Sequence, residues 1–154
     1  MKTKTHIFLT TFLCMIICLI KPEISLLNLS LIWFSGWLFP DLDHYISYIL
    51  KNKKINPIKF YKYSMQKREN WKKLTKIQKQ QYKKNIMPLH SIEFIIILAT
   101  ILIFFPTTIY LIIGFLFHLT LDIIDFYNRK ENILIKISLI YTIKTNKNKK
   151  NYSK

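Results

Sequence analysis

The stretch Ile92–Phe126 reads IEFIIILATILIFFPTTIYLIIGFLFHLTLDIIDF, and its interpretation decides the fold. As one unbroken helix it would be about 50 Å long at 1.5 Å per residue, too long for a single crossing of a hydrocarbon core about 30 Å thick. Pro106-Thr107-Thr108 lies near its middle, and proline removes a donor and breaks the helical ladder. The stretch therefore predicts two antiparallel membrane spans, 91–105 and 108–126, joined by a tight turn.

Upstream are two further apolar runs, Ile7–Ile20 (IFLTTFLCMIICLI) and Ile24–Phe39 (ISLLNLSLIWFSGWLF). Both are slightly short for a full span, which tilt, bilayer thinning or snorkelling lysines absorb. The first is preceded by Lys2 and Lys4, as in a signal peptide. It lacks a small-x-small cleavage site and runs directly into Lys21-Pro22-Glu23, so an uncleaved anchor is expected. Cys14 and Cys18 fall on one face of this run. A disulfide between them would strain a helix, so they read as inert thiols.

Between the apolar pairs, residues 51–87 carry thirteen Lys/Arg and one acid, Glu69. A helix with a basic face is expected from Tyr61 to Lys84. The tail from Tyr127 to Lys154 is basic again, and Ile133–Ile143 reads as a surface-lying segment. Cytoplasmic flanks of membrane proteins are enriched in Lys and Arg. Four spans with both ends inside place 23 of the 24 basic residues in the cytoplasm and only Lys21 outside. The expected architecture is thus all-α: a polytopic bundle of about four spans in residues 1–127, with a basic cytoplasmic loop and a basic tail, 128–154, integral to the cytoplasmic (inner) membrane.

Ionisable residues inside spans are costly, and each is a functional hypothesis by default. Asp41, Asp43 and His44 follow the second span, His90 and Glu93 open the third, and His118, Asp122 and Asp125 lie in the last part of the fourth. All fall near the cytoplasmic ends of their spans. His118 and Asp122 are four apart, with Asp125 three further, so the three share a helical stripe. His90 and Glu93 share a face at i, i+3, as do Asp41 and His44 if Pro40 opens a helical turn. Three helices each present an imidazole beside a carboxylate, the donor set with which helix bundles build metal centres. Neutral imidazole plus carboxylate suits Zn, Mn or Fe. The expected ligands of one or two divalent ions are Asp41, His44, His90, Glu93, His118 and Asp122, with Asp43 and Asp125 orienting ligands or acting as general base. His6 stands apart, before the first span and with no carboxylate near it in the chain. No G-x-S-x-G, H-E-x-x-H or Gly-rich phosphate loop is present.

Three blocks also resemble a known family, the membrane-bound metal-dependent hydrolases of the YdjM-like inner-membrane type. Gly36-Trp-Leu-Phe-Pro40-Asp41-Leu-Asp43-His44 is similar to that family's G-x-x-x-P-D-x-D-H block, His90-Ser91 to its H-S block, and Gly114-Phe-Leu-Phe-His118-Leu-Thr-Leu-Asp122 to its closing G-x-x-x-H-L-x-L-D block. Order and spacing agree over about residues 30–127. The middle block departs: many members carry H-R-G-x-T-H where this chain has Asn85-Ile-Met-Pro-Leu-His90. The resemblance implies a metal-dependent hydrolase. The expected activity is hydrolysis of an ester or phosphoester through metal-activated water, and a site near headgroup level points to an amphiphilic, lipid-like substrate. The alternative is a non-enzymatic basic membrane protein that binds anionic lipid or another acidic partner through loop 51–87. That loop reads chiefly as a topology determinant, not as a nucleic-acid-binding element.

Overall fold

The computed structural model describes residues 3–147 and 149–150, and the side chains of all of these except Thr3, Lys76 and Lys136. Residues 148 and 151–154 of the expected tail lie outside the described residues. The described chain is helical, and its only β pairing is an isolated bridge between Tyr82 and Lys150.

The first apolar run forms α1, Thr3–Ile20. A short turn, in which the Ile24 amide donates to the Lys21 carbonyl, leads to α2, Leu26–Trp37. Ser25 caps α2 by accepting from the Asn28 amide at 3.2 Å, which satisfies one of the open amides of the first turn. The chain then bends through buried Pro40 into α3, Leu42–Asn52, which stops at Lys53 in a left-handed conformation with φ 51°.

The basic region forms two helices where the sequence predicts one. The first is α4, Pro57–Lys73, opened by Pro57 and by Asn56, whose side chain accepts from the Ile58 and Lys59 amides. The second is α5, Lys76–Gln81. Thr75 and Gln78 form a reciprocal capping box there, and this start signal ends the preceding helix. The chain passes through a 3-10 turn, Pro88–His90, into α6, Ile92–Leu102, capped by Ser91. The turn around Pro106 leads to α7, Thr108–Asn128. The predicted break inside the long apolar stretch is therefore present.

The tail returns as α8, Leu134–Ile137, and α9, Leu139–Asn146. It is fastened to the basic region. The Asn146 side chain accepts from the Lys84 amide and donates to the Lys84 carbonyl, both at 2.9 Å. The Lys84 ammonium lies 3.6 Å from Glu131 and 4.3 Å from the centre of the Trp71 ring.

The helices α1, α2 and α7 pack side by side, with α6 against α7. Leu98, Ile112 and Phe115 form the buried apolar core, with Phe94 and Leu102 packed on it. The α2–α7 contact is close because Gly114 has no side chain. A Cβ there would collide with the Ser35 hydroxyl and the Ile32 carbonyl. Small residues let helix backbones approach in this way in membrane bundles, where van der Waals contact, not hydrophobic burial, holds helices together.

Among the described residues α7 is the one helix long and apolar enough to cross a membrane, and α1, α2 and α6 are apolar but shorter. Large apolar side chains line the outside of these helices, among them Phe8, Leu19, Ile20, Leu26, Ile103 and Phe104. So many exposed large apolar side chains are unusual for a protein surrounded by water alone.

Candidate metal centre

The site gathers where α1 begins, α2 ends, the 3-10 turn precedes α6, and α7 is in its second half. Up-and-down packing brings these four places to one end of the bundle. Gly114, His118 and Asp122 succeed one another at four-residue spacing on the buried face of α7. The stripe thus delivers, in order, a close approach to α2, an imidazole and a carboxylate.

His118 is fully buried, and its Nδ1 lies 3.0 Å from the Gly36 carbonyl. A carbonyl can only accept, so Nδ1 carries the proton and Nε2 is left with its lone pair. That carbonyl is open because the residue four further on, which a helix would use as donor, is Pro40. It also accepts from the Thr10 hydroxyl of α1 at 3.1 Å.

His90 is arranged in the same way. Its Nδ1 faces the Asp43 carboxylate at 3.2 Å, and that carboxylate is fixed by the Leu89 amide at 2.7 Å. Both His90 and His118 therefore turn a buried Nε2 inward, and neither Nε2 has a hydrogen-bond partner among the described residues. What they face is carboxylate. His118 Nε2 is 3.5 Å from Asp122 Oδ2, and His90 Nε2 is 3.8 Å from both Asp122 Oδ2 and Asp41 Oδ1.

These distances discriminate between two chemistries. An N–H···O hydrogen bond closes to about 2.9 Å. Two ligands of one tetrahedral ion, each about 2.0–2.1 Å from it, stand about 3.4 Å apart. The observed spacing fits donors arranged around a cation better than a direct hydrogen bond. An imidazole whose Nδ1–H is held by a carbonyl or carboxylate, with Nε2 presented inward, is also the usual posture of a metal-ligating histidine. The buried His and Asp residues thus form groups that can hold a metal ion.

Two such triads have mutually close ligand atoms: His6, His118 and Asp122, and Asp41, His44 and His90. His44 stacks edge-on against His90 at 5.4 Å, and its Nε2 is 4.0 Å from Asp41. Burial by itself would raise the Asp41 carboxyl, but its contact with His90 and the nearby His44 and His118 imidazoles outweigh that and lower it.

Of the eight predicted site residues, six converge: Asp41, Asp43, His44, His90, His118 and Asp122. The other two do not join them. The Glu93 carboxylate turns to the tail, where it accepts from the Ser138 hydroxyl at 2.8 Å and from the Leu139 and Ile140 amides at 3.1 and 3.2 Å, capping α9. The expected His90–Glu93 face does not exist, because Ser91 is the N-cap of α6 and His90 precedes the helix. Asp125 pairs with Arg129, one turn on.

One participant is absent from the sequence expectation. His6, at the start of α1, stacks on His118 with ring centres 4.3 Å apart, and its Nε2 lies 3.3 Å from Asp122 Oδ1. The expectation that His6 has no carboxylate nearby is corrected: its partner is distant in the chain. The signal available in the sequence is a lone imidazole at the edge of an apolar run, one residue before Ile7.

No family model, curated protein or solved structure matches this chain.

Proposed function

We propose that the chain is an integral-membrane metal-dependent hydrolase of the YdjM-like type, with spans near 7–20, 24–39, 91–105 and 108–126 and both ends in the cytoplasm. The observation that carries this reading is the pair of buried imidazoles, His90 and His118, each oriented through Nδ1 and each presenting an unpartnered Nε2 to Asp122. A bound divalent ion, Zn, Mn or Fe, would supply Lewis acidity and lower the pKa of water toward neutrality. The chain's residues do the rest. Asp43 and the Gly36 carbonyl fix the tautomers of His90 and His118, while Asp41 and Asp122 supply carboxylate oxygens. Phe39, Phe94 and Phe115 pack against one another on the apolar side.

The substrate is an ester or phosphoester of amphiphilic character, because the site lies at the end of the apolar helices, where headgroups would be. The lysines of loop 51–87 would lie against anionic headgroups on the same side, each contributing about 1 kcal/mol to surface attraction.

The test is elemental analysis of the purified chain in detergent, together with hydrolysis of ester and phosphodiester substrates. Stoichiometric transition metal is expected, falling well below wild type in His118→Ala and in His90→Ala while both variants remain in the membrane. A wild-type protein without bound metal refutes the reading and leaves a basic, non-enzymatic membrane protein in its place.

A further inference from the structure

We infer that the centre takes two divalent ions in unlike surroundings, an enclosed one held by His6, His118 and Asp122 and an accessible one held by Asp41, His44 and His90. The inference rests on the metal reading above and adds the number of ions and their division.

Donor number is the first ground. With His6 seven side chains converge, and apart from Asp43, which holds His90 through Nδ1, six offer a ligand atom, whereas a zinc ion bound wholly by protein takes four. Grouping is the second. The donors fall into two sets of three, each with its ligand atoms within 4.8 Å of one another.

The third ground is how the sets touch. Asp122 offers Oδ1 to His6 at 3.3 Å and Oδ2 to His118 and His90 at 3.5 and 3.8 Å. One carboxylate thus touches both sets: it belongs with His6 and His118, and its Oδ2 also faces His90 of the accessible set, the place a carboxylate shared by two ions would occupy. His90 Nε2, equally distant from Asp41 and Asp122, marks the seam between the sets.

Burial separates the roles. The side chains of His6, His118 and Asp122 are 3, 0 and 6% exposed, whereas those of Asp41 and His44 are 26 and 36% exposed. The enclosed ion would clasp α1 to α7. The accessible one has an open side for a substrate oxygen or a chelator.

The full-length chain in detergent is dialysed against zinc, freed of excess, and its metal measured before and after a short exposure to EDTA. The expected result is about two ions per chain, one lost promptly and one retained. His44→Ala, at a partly exposed position that threatens folding least, should bind about one ion, the retained kind. His6→Ala should bind about one, the labile kind, and a melting curve shows whether that variant is folded. One ion per wild-type chain, or a His44→Ala protein that keeps both, overturns the two-ion inference and leaves the metal reading standing. No ion at all overturns both.

Discussion

Pro40 stands four residues after Gly36, and for that reason the Gly36 carbonyl is available to His118 at 3.0 Å. A helix would pass that carbonyl to the amide of residue 40, and proline has none. Pro40→Ala restores a competing donor. The expected outcome is a 10- to 100-fold loss of metal affinity, the usual cost of disturbing the partner that orients a ligating histidine, with membrane insertion unchanged. Metal titration of the purified variant measures it, and wild-type affinity would show that the carbonyl does not orient His118.

The two glycines give a prediction whose sign is informative. Helix propensity alone says that Gly→Ala stabilises by about 1 kcal/mol. At Gly114 a Cβ meets the Ile32 carbonyl and lies 2.9 Å from the Gly36 amide nitrogen, backbone atoms that cannot turn aside. Gly114→Ala should therefore destabilise by about 1–3 kcal/mol through overpacking. At Gly36 the nearest obstacle is the Thr10 side chain, at 2.5 Å, so Gly36→Ala should be milder. Thermal unfolding in detergent gives the order, and a stabilised Gly114→Ala would contradict the close α2–α7 contact.

Glu93→Gln separates a ligand from a cap. Losing the charge weakens three hydrogen bonds at the start of α9, at a cost of about 1–2 kcal/mol locally. The tail should become more sensitive to protease around residues 138–147, while metal content stays at the wild-type level. Loss of metal with an undisturbed tail would return Glu93 to the ligand set.

Topology has its own check. Reporters fused after Lys84 and after Lys154 should both give cytoplasmic signals, since 23 of 24 basic residues then lie inside. An external signal from the 51–87 loop would place the site on the opposite face of the membrane.

Much of the bundle is legible because apolar helices announce themselves locally. Apolar runs, the Pro106 break and the His118–Asp122 spacing are all properties of neighbouring residues. Glu93 was misplaced because i, i+3 spacing was applied across a helix start. Pro88 and Ser91 carried the start signal, as did Thr75 and Gln78 in the basic region, where one helix was expected and two are found. His6 was set apart for a different reason. Its partners His118 and Asp122 lie more than a hundred residues further along the chain, and no periodicity records a contact made only when α1 meets α7.

That separation bears on the order of biosynthesis. His6 emerges from the ribosome long before His118, so the stacked pair of imidazoles cannot exist until α7 has been translated and packs beside α1. Until then, His6 lacks the carboxylate it ends beside, and α1 and α2 lack the helix they pack against. On the metal reading, capture at this triad becomes a late checkpoint of assembly: a chain arrested short of residue 118 should lack the retained, EDTA-resistant ion.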